Sequence, residues 1–268
     1  MAIGSPHYRS SATTLHKPAK EESAGRAKVI VTMPAYNAAK TLIKTFDDIP
    51  KGVVTEIILV DDCSQDETVA VGSTLPIKVV RHPHNVGYGG NQKTCYLEAL
   101  RDGADIVVML HPDYQYDPKK LPELIAPIIE GKADIVLGSR FLGGGALKGG
   151  MPYYKFVANR FLTTCQNLIL GTHLSEFHTG YRAYSRRFLE TVPFLRNSIA
   201  FVFDAEILAQ AVFFGFKVEE IGVETRYFPE ASSINFLSSV KYGFGVLSTL
   251  IKFLSAKFEL AKIDLFRP

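Results

Sequence analysis

Short apolar runs rich in β-branched residues alternate with stretches of helical periodicity from residue 27 onward. The apolar runs predict five strands, at residues 27–33, 54–62, 76–82, 104–110 and 133–139. Between them the periodicity predicts helices at residues 37–49, from about 64, at 88–103 and at 118–131. Ser64 and Glu67 have the spacing of a capping box for the second helix. This alternation is typical of an α/β fold with a mostly parallel sheet flanked by helices.

The alternation becomes less regular after residue 140. Residues 141–151 contain five glycines and no apolar period, which predicts a mobile loop. Beyond this loop the pattern predicts helices at 153–170 and 203–215 and strands at 180–185 and 216–225. We expect this irregular second half to complete a cleft beside the sheet.

The two ends of the chain differ from the middle. Residues 1–26 are rich in Ser, Ala, Lys and Glu, which predicts a flexible leader outside a domain at 27–233. Residues 234–268 contain an amphipathic helical pattern that Lys241, Lys252 and Lys257 interrupt. Two positions are open for this helix: it packs on the domain, or it lies on a membrane surface with its lysines toward anionic lipid.

Composition narrows the class of protein. The 268 residues are 47% hydrophobic and carry a net charge of only +3, which argues against a nucleic-acid-binding surface. Cys63, Cys95 and Cys165 are odd in number and far apart, as is usual for reduced thiols in the cytoplasm. We therefore expect a cytoplasmic protein, with a peripheral position on the cytoplasmic face of the membrane as one possibility.

Polar residues follow the predicted strands at the edge where open α/β sheets bind ligands. Asp61 and Asp62 end the second strand, and their burial is costly unless they meet donors such as a nucleobase imide or ribose hydroxyl. Capping of the next helix is the alternative for either acid. The glycines of 85-NVGYGGN-91 lack the pattern of a dinucleotide fingerprint or a P-loop, so we expect them to let the backbone turn closely beside a sugar or base.

The fourth strand ends in 111-HPDYQ-115. In extended geometry Asp113 and Gln115 would point to one side, where a carboxylate and an amide oxygen suit a divalent cation. Such a cation could hold a pyrophosphate, and Arg140 after the fifth strand could add fixed positive charge to the same anion. These residues predict a site for a diphosphate and a metal.

Six motifs together resemble one known family: PAYN at 34–37, VDDCSQDET at 60–68, NVGYGGNQ at 85–92, HPDYQYDP at 111–118, GSRF at 138–141 and HTGYRAYSRR at 178–187. Their order is similar to that of family 2 inverting glycosyltransferases with the GT-A fold. Within that family they look most like the dolichyl- or polyprenyl-phosphate mannosyl- and glucosyltransferases. The resemblance covers roughly residues 27–230.

The resemblance implies a binding site for a nucleoside-diphosphate sugar. The matching residues are Pro34, Ala35, Tyr36, Asn37, Asp61, Asp62, Gly87, Lys93, Pro112, Asp113 and Arg140. The family's Asp-x-Asp metal motif falls on 111-HPDYQ-115, so Asp113 and Gln115 match and His111 replaces the first aspartate. Three roles stay open for His111: a ligand of Mn²⁺ or Mg²⁺, a donor to phosphate, or a core histidine.

The resemblance also implies an acceptor site at His178, Thr179 and Arg182, with Arg226 as a contact for phosphate. Asp204 corresponds to the acid that faces the acceptor in many relatives, and helix capping is its alternative. Asp113, Asp204 and Arg140 are the residues expected to act in catalysis.

The expected function is transfer of a hexose, with inversion, from UDP-glucose or GDP-mannose to a polyprenyl or dolichyl phosphate. An anionic phosphate needs no base, whereas a sugar hydroxyl in glycan synthesis would need one, with Asp204 as the candidate. A nucleotidyltransferase and a non-catalytic nucleotide-sugar-binding protein are the rival classes. The sugar, the base and the oligomeric state stay open.

Overall fold

The computed structural model describes residues 27–142, 145–226 and 236–267. The predicted leader at 1–26 and part of the glycine-rich loop lie outside the described residues. Within them, seven strands form one sheet: β1 (Val29–Ala35), β2 (Glu56–Asp61), β3 (Lys78–Arg81), β4 (Ile106–Met109), β5 (Ile135–Ser139), β6 (Arg182–Ser185) and β7 (Val218–Gly222).

Eight α-helices connect and flank these strands in the described part of the chain: α1 (Leu42–Asp48), α2 (Thr68–Ser73), α3 (Tyr88–Arg101), α4 (Leu121–Ile129), α5 (Tyr153–Leu170), α6 (Arg186–Thr191), α7 (Phe203–Phe213) and α8 (Phe236–Lys257). Three short 3₁₀ helices lie at Pro118–Lys120, Phe194–Arg196 and Asp264–Phe266. The described remainder of 141–151 forms turns, without a helix or strand.

The strand order is β3-β2-β1-β4-β6-β5-β7, and only β6 runs antiparallel to its neighbours. At the centre, Thr32 of β1 lies opposite Ile58 of β2 and Met109 of β4. The prediction of a mostly parallel sheet flanked by helices is confirmed.

Alternate strand residues face two separate cores, as the period of a strand requires. Ile30 belongs to a core with Tyr96 of α3, Leu162 of α5 and Val246 of α8. Its neighbour Val31 belongs to the second core, which includes Leu124 of α4. Helices α3, α5, α7 and α8 therefore cover one face of the sheet, and α1 and α4 cover the other.

Two local predictions were wrong. The first helix begins at Leu42 and not at 37, because Asn37 has a positive φ of 54° that a helix does not allow. The Ser64–Glu67 capping box is absent, since α2 begins only at Thr68. The Ser64 hydroxyl instead accepts from the Asn37 amide at 2.9 Å, which ties the end of β2 to the end of β1.

The C-terminal helix packs on the domain. Val246, Leu250 and Phe253 of α8 are buried in the core shared with α5 and α7. None of the described helices is long and apolar enough to cross a bilayer.

Candidate active site

The carboxyl ends of the parallel strands open onto a cavity of about 700 Å³, a size typical of ligand pockets. The predicted residues that line it are Pro34, Ala35, Tyr36, Asp62, Gly87, His111, Asp113, Gln115, Arg140, His178 and Asp204. The other predicted residues, although described, lie outside the lining: Asn37, Asp61, Lys93, Pro112, Thr179, Arg182 and Arg226. The structure thus brings the ends of β1, β2, β4 and β5 together with α3, α5, α7 and α8.

The two acids after β2 have different surroundings. Asp62 lines the cavity, and its carboxylate accepts from the Val86 and Gly87 amides at 2.8 and 3.1 Å. His82 contacts the same carboxylate at 3.0 Å. Asp61 is fully buried and accepts from the Ser64 amide at 3.1 Å. Neither acid caps α2, because that helix starts seven residues beyond Asp61.

Three residues predicted to bind the donor lie outside the cavity lining and have contacts within the protein. The Asn37 side chain accepts from the Gln65 amide at 2.8 Å, and the Pro112 carbonyl accepts from Thr45 at 3.2 Å. The Lys93 ammonium donates to the Asn197 carbonyl. Lys93 follows the cavity-lining Asn91 by two positions on α3, so the helix turns its side chain away from the cavity. Within the described residues these three residues support the site from outside its lining.

The 111–115 segment is a turn, so the expectation of extended geometry was wrong. Tyr114 has a φ of 56°, a left-handed conformation that is uncommon for a residue other than glycine. The Tyr114 hydroxyl donates to Asp48 at 2.5 Å, and the Lys44 ammonium lies 4.2 Å from the centre of its ring. These contacts stabilise a turn that still places both Asp113 and Gln115 on the cavity wall.

His111 lines the cavity. Its ring stacks on Tyr88 at a centroid distance of 5.7 Å, and it packs so closely on Gly180 that a Cβ there would lie 2.9 Å from the ring. Burial lowers the pKa of His111, although Asp113 and Asp204 oppose this effect. Within the described residues neither ring nitrogen has a hydrogen-bond partner, so His111 can offer a neutral donor or acceptor to a ligand.

The side-chain oxygens of Asp113 and Gln115 suit a divalent cation whose other ligands would come from a diphosphate. Asp113 Oδ1 accepts a hydrogen bond of 3.0 Å from the backbone amide of Gln115. The Gln115 side chain lines the same cavity. No cluster of three or more His, Cys, Asp or Glu side chains within the described residues is arranged to hold a metal by itself. One carboxylate with phosphate and water ligands is a common arrangement for Mg²⁺, and an imidazole nearby favours Mn²⁺.

Asp204 lies in the cavity wall and is held there by three side chains. Its carboxylate accepts from the Tyr88 hydroxyl at 2.7 Å and from the Gln92 amide at 3.1 Å. Arg182 lies 3.4 Å from the same carboxylate. Asp204 does not cap α7, because Val202 occupies the N-cap position. Tyr88 and Gln92 were not singled out from the sequence, although both belong to the NVGYGGNQ motif.

The side chains of Arg182 and Thr179 are buried and do not line the cavity where an acceptor would bind. Arg182 is 1% exposed and donates to the carbonyls of Thr179, Phe177 and Asp204. Thr179 is fully buried and donates to the Gly138 carbonyl at 2.6 Å. Both residues shape the wall from behind.

His178 does line the cavity. Its Nδ1 contacts the Tyr242 hydroxyl of α8 at 2.6 Å, and its Nε2 is buried without a partner among the described residues. Burial, assisted by Arg140 and Arg182 and opposed by Glu176, lowers the pKa of His178 to about 3. His178 is therefore neutral at physiological pH.

Arg140 lies in the α5 side of the cavity beside Lys155. The Arg140 guanidinium forms a buried ion pair with Glu176, and Asn159 donates to the same carboxylate at 2.9 Å. Burial and the charge of Arg140 lower the pKa of Lys155, and both residues line the cavity. The sequence analysis did not single out Lys155. The pattern that could have identified it is the spacing of Lys155, Asn159 and Leu162, which puts them on one side of α5.

Arg226 lies beside the metal motif and outside the cavity lining. Its backbone amide donates to the Gln115 carbonyl at 3.0 Å, and its guanidinium lies 5.2 Å from the centre of the Tyr114 ring. The serine pair that follows it in sequence lies outside the described residues. Arg226 contacts the turn that carries Asp113 and Gln115, and its predicted contact with phosphate stays a prediction.

Known proteins share both sequence and fold with this chain. It is 26% identical over 204 residues to polyprenol monophosphomannose synthase from Mycolicibacterium smegmatis, covering 73% of this chain and 76% of the relative. It is also 26% identical over 216 residues to UDP-N-acetylglucosamine–dolichyl-phosphate N-acetylglucosaminyltransferase from Methanococcus voltae, covering 74% of this chain and 86% of the relative.

A solved structure with a similar fold is glucosyl-3-phosphoglycerate synthase from Mycobacterium tuberculosis in complex with Mn²⁺, UDP-glucose and phosphoglyceric acid. The TM-score is 0.66 at 20% identity, with 85% of this chain and 79% of the other covered. The predicted GT-A fold is thereby confirmed. Residues 30–192, more than half of the chain, match the model of glycosyl transferase family 2. This protein is therefore a glycosyltransferase and belongs to glycosyl transferase family 2.

Proposed function

We propose that this enzyme transfers a hexose from a nucleoside-diphosphate sugar to a polyprenyl or dolichyl phosphate, by single displacement with inversion. The proposal is supported by two relatives whose names specify polyprenol or dolichyl-phosphate products or acceptors. It assigns the transferase domain to residues 27–233 and a C-terminal amphipathic segment to 234–268. We also propose a peripheral position on the cytoplasmic face of the membrane.

The observation that carries the proposal is Lys155 in the α5 wall of the cavity that also contains the Arg140–Glu176 ion pair. Arg140 and Lys155 lie in one cavity with the apolar side chains of Met151 and Leu162. Basic groups beside an apolar surface suit a phosphate attached to a hydrocarbon chain. Asn159, Ser238 and Tyr242 line the same cavity and would suit a sugar hydroxyl, so the basic groups, and not the lining as a whole, favour the phosphate. We therefore assign Arg140 to the acceptor phosphate, whereas the sequence pointed to the donor diphosphate.

The surroundings of Asp204 favour the same acceptor. A hydroxyl acceptor must give its proton to a base, but both Asp204 oxygens already accept from side chains that fix the carboxylate in place. A lipid phosphate is already anionic and attacks without such a step. Transfer to a sugar hydroxyl is the second candidate, because Asp204 does line the cavity.

The opposite side of the cavity is assigned to the donor. Asp62, Tyr36 and Gly87 would contact the nucleoside, and Asp113 with Gln115 would hold a Mn²⁺ or Mg²⁺ ion bound to the diphosphate. Such an ion, when bound, stabilises the negative charge that grows on the leaving diphosphate. His111 would donate to the same diphosphate or to the sugar from its position against Gly180 and Tyr88.

Steady-state kinetics of Lys155→Met test the proposal. Loss of one charge-assisted hydrogen bond should raise KM for a polyprenyl phosphate by roughly 10- to 100-fold, with KM for the sugar nucleotide unchanged. Lys93→Met is the matched control, because Lys93 is also partly buried but lies outside the cavity lining. Transfer to a sugar hydroxyl with no transfer to any polyprenyl phosphate would refute the proposal.

A further inference from the structure

We propose that the outward sides of α5 and α8 form one surface that docks the enzyme on an anionic lipid bilayer. We call this surface the α5–α8 face and define it by Tyr153, Val157, Phe161, Leu237, Phe244 and Ile251. The inference deepens the proposed function, on which it rests for the identity of the acceptor, because it states where the lipid carrying that acceptor would lie.

The apolar residues of this face follow the period of each helix. On α5, Tyr153, Val157 and Phe161 are four residues apart, and on α8, Leu237 and Phe244 are seven apart. Residues at these intervals lie on one side of a helix. Phe161 is 61% exposed, Phe244 is 70% exposed and Ile251 is 66% exposed. Exposed apolar side chains that form a contiguous patch are typical of an interaction site.

These residues do not serve the core, since each helix buries a different side. Leu162 and Leu170 of α5 and Val246 and Leu250 of α8 pack into the core beneath the sheet. The outward stripes therefore remain after both helices have satisfied their packing. Folding of the described residues does not account for them.

The charge of the two helices identifies the partner. Together α5 and α8 carry five basic residues, Lys155, Arg160, Lys241, Lys252 and Lys257, and no acidic residue. Five of the chain's 30 basic residues thus lie on these helices, and the remaining 25 face 27 acidic residues. Arg160, Lys241, Lys252 and Lys257 are exposed. Residues 27–268 carry 26 basic and 25 acidic residues, so without α5 and α8 this part of the chain has 21 basic and 25 acidic residues.

An anionic bilayer fits this pattern better than a second copy of the chain. A symmetric dimer through the α5–α8 face would set the same basic residues against each other, and lysine is depleted in protein interfaces. Exposed apolar residues flanked by Lys and Arg are instead the pattern of helices that lie in the headgroup region of anionic membranes.

The position of the face also suits delivery of a lipid substrate. The same two helices line the cavity with other residues, Tyr154, Lys155 and Asn159 from α5 and Ser238 and Tyr242 from α8. A phosphate at Lys155 is therefore within one helix width of the proposed lipid surface. A polyprenyl chain could stay in the bilayer while its phosphate enters the cavity.

Co-sedimentation of the full chain with vesicles tests the proposal. The protein should bind vesicles of phosphatidylcholine with phosphatidylglycerol, and bind pure phosphatidylcholine at least tenfold more weakly. Ile251→Ser should weaken binding about tenfold. Ile129→Ser is the matched control and should leave binding unchanged, because Ile129 is 58% exposed on α4, which packs on the other core.

Charge variants supply a second measurement. Lys241→Gln and Lys252→Gln should each weaken binding to the anionic vesicles about fivefold, whereas the exposed Lys51→Gln should have no effect. Failure of the folded wild-type protein to bind anionic vesicles would overturn the proposal, as would equal effects of Ile251→Ser and Ile129→Ser. Formation of a dimer that Ile251→Ser dissociates would assign the face to a second copy of the chain.

Transfer to a short-chain, water-soluble polyprenyl phosphate separates this inference from the proposed function. Transfer without vesicle binding would refute the docking surface and leave the proposed function standing. Vesicle binding that follows the predicted variants, without transfer to any polyprenyl phosphate, would refute the proposed acceptor and support the surface.

Discussion

The buried imidazole of His178 should make the stability of the protein depend on pH. In the unfolded chain a histidine titrates near pH 6.5, whereas burial lowers the pKa of His178 in the folded protein to about 3. Between these two values the unfolded state binds more protons, so the free energy of unfolding falls as the pH falls. For a single group with these two pKa values, lowering the pH from 7 to 5 removes ~2 kcal/mol of stability.

Urea unfolding of the wild-type protein and of His178→Gln at pH 7 and pH 5 measures this contribution. Glutamine cannot gain a proton in this range, and its amide can still hydrogen-bond the Tyr242 hydroxyl. The variant should therefore lose ~2 kcal/mol less stability than the wild type over the same pH interval. All other titrating groups are common to both proteins and cancel in the comparison. Equal losses in the two proteins would refute the assignment of a neutral, desolvated His178.

Two further predictions concern the groups that hold Asp204. Arg182→Met should reduce the free energy of unfolding by ~3–5 kcal/mol, because it leaves the buried carboxylate of Asp204 without its cation. A variant with unchanged stability and a higher KM for the acceptor would contradict the internal role of Arg182. Tyr88→Phe deletes the 2.7 Å hydrogen bond to Asp204 and keeps the ring contacts, so kcat should change while the exposed Tyr153→Phe has no effect. An unchanged kcat in Tyr88→Phe would show that the orientation of Asp204 does not limit the reaction.

The sequence was sufficient for the fold and for the edge of the sheet where the site lies. Both follow from local signals: the alternation of strands and helices, and the polar residues directly after each strand. Asp62, His111, Asp113 and Arg140 could be placed at one edge because parallel strands end there together. The left-handed Tyr114 could not be predicted, because its conformation depends on contacts with Asp48 and Lys44, more than 60 residues away.

Side-chain direction was the part that the sequence could not supply. Arg182 and Thr179 match a motif at an acceptor site, yet both side chains are buried behind the wall: Arg182 on β6, between β4 and β5, and Thr179 just before that strand. Lys155 matches no quoted motif, yet α5 turns it into the cavity beside Arg140. A motif therefore located the segment, and the packing of helices against the sheet decided which side chain reaches a ligand.

For α8 too, the sequence located the helix, and packing decided which of its side chains are buried, line the cavity or are exposed. From the sequence, packing on the domain and lying on a membrane were two alternative positions for this helix. The structure shows three sides on one helix: Val246 and Leu250 in the core, Tyr242 in the cavity against His178, and Phe244 and Ile251 exposed. A helix that is 22 residues long has enough faces to pack, to line a substrate cavity and to present an apolar stripe at once. Packing on the domain thus does not compete with binding to a bilayer, because it fixes which residues of α8 a bilayer would meet.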